Sequence, residues 1–377
     1  MERNPAAGQL MEAPSAGRLA FSWASPADDA EMRGLLGRVP MDGAVRIGFS
    51  REPSYFACPN PAGASERTLL ARLDGKLACL GALSEREVWL NGRPARVGYL
   101  GGLRMAPGVR IAPRVLREGY ERFAEYARAA DAEAWFTSIA SDNLRARRVL
   151  ESRRLGLPDY TPVADLVTGV FPVKRRVTRE QQVETPEDRE ELDAFLNREA
   201  ERFQLGLTWN AARWDALARD GFGLRQMRVI RRSGRIVAAA GVWNQSKWKQ
   251  VTVHGYATWL TRLRPLINLA SCCRGNPGLP PPGQILPMAS VFPFAIDSRE
   301  ISALPELWAG IEAAARGMGV DRLALGLDET DPLLGHLAGR GGVHRYWTTL
   351  YSVSGSGIPG ESMCWQNRGF RPEIAML

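Results

Sequence analysis

Residues 98–116, "GYLGGLRMAPGVRIAPRVL", read as a strand ending at Met105, a short basic loop, and a helix beginning near Pro113. A strand feeding a helix N-terminus is a common place to hold phosphate, because the first helical N–H groups lack intrahelical partners and the helix dipole favours an anion. Such loops normally carry glycines where backbone must approach the ligand; here proline and valine stand at 113 and 115. The stretch is a phosphate cradle, a cradle that has lost its glycines, or a plain turn with solvated arginines.

Working outward, the helix and strand that follow recur later in the chain. "EGYERFAEYARAADAEAWFTSIASDNLRARRVL" begins at Glu118, and "ELWAGIEAAARGMGVDRLALGLDETDPLLGHL" begins at Glu306, an offset of 188. Tyr120 falls on Trp308, Trp135 on Leu323 and Asn143 on Asp331. Leu116, Tyr120, Phe123 and Ala127 share one helical face, as do Leu304, Trp308, Ile311 and Ala315. "AWFTSIA" and "DRLALGL" are short apolar strands, followed by N-cap candidates at Asp142 or Asn143 and at Thr330 or Asp331.

Upstream, "TLLARLDGKLACLGAL" (68–83) and "MRVIRRSGRIVAAAGV" (227–242) both read strand, glycine turn, strand, at an offset of 159. The difference places about 29 additional residues in the second copy. "TWLTRLRPLINLASCC" followed by a proline loop is the obvious insert. In the first copy the Asn91-Gly92 pair suits a type I′ hairpin turn.

The fold class expected is α/β (α+β), two tandem units, each a mixed, largely antiparallel sheet flanked by helices. The division is a lead at 1–16, a first domain at 17–172, a linker at 173–187, a second domain at 188–355 with a helical insert at about 257–284, and a tail at 356–377 that packs back on the sheet.

The bulk numbers narrow the function. No apolar run approaches the roughly 20 residues needed to cross a bilayer, and the N-terminus has no apolar signal core, so a cytoplasmic location is expected. The five cysteines and three histidines fall in no metal-ligand or triad spacing, so no metal is expected. Net charge is +8. Apart from "KRRVTR" (174–179) the bases read as interleaved with acids, which argues against a nucleic-acid stripe. No membrane partner is expected.

"GYLGGLRMAPGVRIAPRVL" and "AWFTSIASDNLRARRVLESRRLGLPDY" together resemble the GNAT acyltransferases. In that family a Leu-x-Val-x-Pro strand end leads to an Arg-x-x-Gly-x-Gly loop and a helix, and a later strand leads to Asn-x-x-Ala at a helix start. Leu103, Met105 and Pro107 fill the first pattern, Arg110 opens the loop, and Asn143 and Ala146 fill the last. The match covers the first half; the second shows the architecture without the loop, with Asp297, Glu300 and Glu306 where phosphate would sit, so it is a degenerate copy that walls the cleft or completes the sheet.

The resemblance implies acyl transfer from acetyl-CoA or another acyl-CoA to a small-molecule or peptide amine, in a ternary complex, with no metal. Leu103 and Met105 would offer backbone to the pantetheine arm. Arg110, Ile111, Ala112, Arg114 and Asn143 would serve the CoA end, although Pro113 removes one amide donor. The tyrosine that the family often places on the helix after the second strand is replaced by Leu150, leaving Tyr99 and Tyr160 as candidate acids. Glu85, Glu87 or water are candidate bases. Cys58 is a nucleophile only with a depressed pKa. Trp243, Trp248, Tyr256 and Trp259 line an acceptor pocket or belong to the core. Two other readings stay open: an aminoacyl-tRNA-dependent transferase of Fem type, and an inactive duplicated scaffold that binds a ligand or partner.

Overall fold

The computed structural model describes residues 18–41, 43–57, 66–109, 113–152, 156–174, 183–338, 343–359 and 365–377. The first half contains β1 (Leu19–Trp23), α1 (Asp29–Arg38), β2 (Val45–Ser50), β3 (Arg67–Leu73), β4 (Lys76–Leu90), β5 (Arg93–Met105), α2 (Pro113–Ala129), β6 (Ala134–Ala140), α3 (Leu144–Leu150) and β7 (Asp159–Pro172). The second half opens with α4 (Arg189–Ala200), β8 (Gly206–Leu207), α5 (Ala211–Ala218), β9 (Met227–Arg232), β10 (Arg235–Trp243), β11 (Gln250–Tyr256) and the insert helix α6 (Thr258–Cys273). It closes with β12 (Met288–Ile296), α7 (Leu304–Gly317), β13 (Arg322–Asp328), α8 (Leu333–Ala338) and β14 (His344–Ser354).

The main sheet runs β1-β3-β4-β5-β6-β14-β7-β13-β12-β10-β9. From β3 inward and from β9 inward the order is the same: a hairpin, a third strand, a fourth strand parallel to it, then a last strand borrowed from the other half. Thus β14 completes the first half beside β6, and β7 completes the second beside β13. The two borrowed strands pair with each other antiparallel over eleven positions, His344↔Val170 through Ser354↔Asp159, and join the halves into one surface. The domain boundaries drawn from sequence separate each borrowed strand from the half-sheet it completes.

The hairpins follow from local chemistry. Asp74-Gly75, Asn91-Gly92 and Ser233-Gly234 all hold positive φ at both central positions, the geometry whose twist matches paired strands. Packing follows from the helical stripes: Leu116, Tyr120, Phe123 and Ala127 of α2 are buried against the first half-sheet, and Leu304, Trp308, Ile311 and Ala315 of α7 against the second. On the opposite face a single core spans both halves, with Leu192, Phe195 and Leu196 of α4 and Trp214 of α5 packed near Val97, Phe136, Trp243 and Phe292. No helix among the described residues is long and apolar enough to cross a membrane.

Candidate functional site: the opening between β5 and β6

Strands β5 and β6 pair only from Val97↔Ala134 to Leu100↔Thr137. Thr137 Oγ1 closes the last rung by donating to the Leu100 carbonyl at 2.5 Å. Beyond it β5 bends away. The register against β4 slips between Leu80 and Ala82, so that β5 carries one additional residue, and Gly102 holds φ +65° there. A bulge with glycine in the left-handed region is a standard way to redirect a strand. The Gly101-Gly102 pair is therefore the local cause of the opening, and a cavity of about 460 Å³ lies there.

Tyr99 sits where the strands part. Its hydroxyl is 2.9 Å from Ser138 Oγ on β6, and the Arg86 guanidinium lies 4.8 Å from its ring centre. Burial raises the Tyr99 pKa, while the Ser138 hydrogen bond, Arg86 and Arg104 pull it back. Arg86 is itself buried; its Nη2 donates to the Met376 carbonyl at 3.0 Å, and its Nε has no hydrogen-bond partner. Desolvation pushes its pKa down to about 10. Among the described residues it forms no ion pair, an unusual state for a buried cation.

Leu103 lines the cavity, but its carbonyl accepts from Arg104 Nη1 at 2.9 Å. Met105 pairs with Cys79 and is not among the lining residues. Asn143 lines the cavity and caps α3, its Oδ1 accepting from the Ala146 N–H at 3.2 Å. Tyr160 also lines it, yet its hydroxyl is bonded to that of Tyr120 and its ring is 5.9 Å from Tyr351, in a buried tyrosine cluster. Burial, then Tyr120, raises its pKa well above the ordinary value. Of the two tyrosines, Tyr99 alone sits at the divergence. Arg110, Ile111 and Ala112 lie outside the described residues, as do Cys58 and the side chain of Arg114.

Glu85 and Glu87 are not among the lining residues: Glu85 accepts from Tyr126 Oη at 2.9 Å, and Glu87 pairs with Arg96 at 3.9 Å. Of the four aromatics, Trp248 lines the cavity, Trp243 and Tyr256 are buried elsewhere, and Trp259 is exposed. The residues that sequence reasoning missed come mostly from far along the chain: Lys249, Tyr346, Thr348 and the stretch Ile374–Leu377 all line the cavity. Arg86 stands between the candidate bases Glu85 and Glu87, and β4 buries Ser84, Glu85 and Arg86 together.

The equivalent opening in the second half is filled. There β12 and β13 pair only over Met288–Ser290 and Arg322–Ala324. The tail enters beyond: the Phe370 N–H donates to Asp328 Oδ2 at 2.8 Å, and Arg371 is bonded to the Asp331 carboxylate. The half-buried Glu373 carboxyl lies against the Phe294 backbone. Gly326 has no side chain because Ile374 occupies that space; a Cβ there would lie 2.1 Å from its Cγ2. The tail does pack on the sheet, and it reaches both openings.

No protein-family model matches the sequence, and no characterised protein matches it in sequence. Solved structures do match in shape. Saccharomyces cerevisiae N-myristoyltransferase with bound myristoyl-CoA aligns over 93% of this chain and 83% of its own, at TM-score 0.54 and 12% identity. A tandem GNAT protein from the clavulanic acid biosynthesis pathway aligns over 90% of this chain and 99% of its own, at TM-score 0.50 and 11% identity. At such identities the likeness is one of fold. With the paired half-sheets and their divergent strands, it makes the chain a tandem GNAT-fold protein.

Proposed function

We propose that the first-half opening transfers an acyl group from acyl-CoA to the amine of a small-molecule or peptide acceptor, in one ternary complex. The observation that carries this is the contrast between the two divergences: one is open, with a largely apolar lining that includes polar groups such as Tyr99, Ser138 and Arg86, and the other is filled by the tail. Both structural neighbours fit it, since one was solved with bound myristoyl-CoA and the other is a tandem GNAT protein solved without AcCoA.

In this reading the β5 backbone past Leu100, released from β6, holds the pantetheine arm and polarises the thioester carbonyl. The CoA phosphates rest against the loop before α2. The amine nitrogen attacks the thioester carbon, the C–S bond breaks, and the sulfur takes a proton. Tyr99 supplies that proton, because its hydroxyl stands at the divergence and Arg86 lies beside the phenolate that forms. The proton released by the amine leaves through water and restores Tyr99. The second half contributes walls: Trp248, Lys249, Tyr346 and the tail.

Titration calorimetry with acetyl-CoA and a series of longer acyl-CoAs tests the proposal and sets the chain length. Saturable heat with any of them supports it; no heat at millimolar ligand ends it.

A further inference from the structure

The insert helix α6 is built with its polarity reversed. Trp259, Leu263, Leu266 and Leu269 recur at helical spacing on one side and are 57%, 45%, 64% and 64% exposed. The inward side does the polar work. Arg264 Nε donates to the Leu279 carbonyl at 3.1 Å, and Asn268 holds the same residue through its N–H at 2.6 Å and its carbonyl at 3.1 Å. Only Leu260 and Ile267 join the small core on β11. A surface helix normally shows the opposite arrangement. Single exposed leucines need no explanation, but three leucines and a tryptophan in register on 16 residues do.

The charge around this helix narrows what covers it. The interleaving of bases with acids fails over residues 221–296, which hold ten lysines and arginines and no aspartate or glutamate. The rest of the chain has 39 bases against 41 acids, so the whole positive balance lies in this segment. Part of it is neutralised at the β9 edge, where Arg231 pairs with Glu191 and Arg232 with Glu306. Around α6 there is no such compensation: Arg262, on the leucine side, and Arg274, at the helix end, form no ion pair among the described residues.

A second copy of the chain fits this surface poorly. A 16-residue helix is about 24 Å long and its exposed stripe about 10 Å wide, so the footprint is roughly 240 Å². A stable interface needs about 800 Å² per partner. A two-fold pairing would also set Arg262 near its own copy. An anionic lipid surface meets both features at once. Leucine and tryptophan enter the acyl boundary, while the arginines stay at the headgroups.

We infer that α6 seats the protein on anionic membranes as an interfacial helix lying in the membrane plane, contrary to the expectation from the sequence. This does not depend on the reading of the cleft. The test is co-sedimentation of the full chain with phosphatidylcholine vesicles, with and without phosphatidylglycerol. The wild type is expected to sediment with the anionic vesicles and to be released by salt. The double variant Leu263→Ser/Leu266→Ser should partition about a hundredfold less, about tenfold per leucine. Arg262→Glu should weaken binding to the anionic vesicles only. Circular dichroism melts of each variant, with unchanged midpoints expected at such exposed positions, confirm that they fold. Failure to bind anionic vesicles at low salt overturns the inference, as does binding that survives loss of both leucines. So does a wild-type dimer, seen by analytical ultracentrifugation, that the leucine variant converts to monomer.

Discussion

Asparagine at position 331 would separate the charge of this side chain from its geometry. Asp331 Oδ1 accepts from the Leu333 N–H at 2.9 Å at the start of α8, and asparagine keeps that bond. What is lost is the charge opposite Arg371, in a pair whose side chains are 3% and 9% exposed. Arg371 has little else to compensate it: its guanidinium lies 3.8 Å from the Phe203 ring centre, and its Nε has no partner. Breaking a buried pair from one side costs about 3–5 kcal/mol, and the retained amide dipole places Asp331→Asn near 3 kcal/mol. Arg371→Met should cost less, because a stranded Asp331 keeps its bond from the Leu333 N–H whereas a stranded Arg371 keeps only its contact with Phe203. The double variant should recover part of the loss. Urea unfolding of the four proteins closes the cycle; with m near 3 kcal/mol/M the Asp331→Asn midpoint falls by about 1 M. A loss under about 1 kcal/mol, or strict additivity, would refute the view that this pair anchors the tail. Because Ile374–Leu377 also line the first opening, the same variant should weaken acyl-CoA binding from the opposite half.

Further outcomes follow from the same contacts. Tyr99→Phe should lower kcat about 10²–10⁴-fold with little change in acyl-CoA affinity, the signature of a lost proton donor; an unchanged kcat in steady-state assays removes Tyr99 from the mechanism. Burial pushes the Glu373 carboxyl up to about 8 from an unfolded value near 4.5. The folded state therefore holds a proton the unfolded state has released: stability is full below about 4.5 and declines as pH rises to 8. Glu373→Gln should flatten that slope and be more stable than wild type at pH 8 by on the order of 3 kcal/mol, read from urea midpoints across pH. Gly326→Ala drives a Cβ into Ile374, so trypsin should cut after Arg368 in the variant under conditions where the wild type resists.

Much of the fold was legible because it is written in local patterns. The α2 and α7 stripes, the Asn91-Gly92 turn and the Asn143 cap each depend on residues within one or two turns of one another. What escaped was non-local. The alternation in 159–172 and 344–354 says strand but does not say which neighbour, and the exchange of β7 and β14 is a choice of partner. The bulge at Gly101-Gly102 escaped because it exists only against β4. In the candidate site the strand–helix frame and Tyr99 were visible. Arg86 and the tail were not, since nothing near them in sequence shows that they face an opening. The exposure of the α6 leucines was hidden for the opposite reason: periodicity marks an apolar side but not whether protein covers it.

The exchanged strands also set a timetable for synthesis. Ser141 and Thr349, neighbours across β6 and β14, are 208 positions apart. At ribosomal speeds of about 5–20 residues per second, the flank of β6 waits roughly 10–40 s for its mate. During that interval the nascent amino-terminal portion presents an unmatched row of amides and carbonyls, the kind that templates aggregation. Production of this protein should respond more to chaperone supply and elongation rate than to changes in its mature contacts.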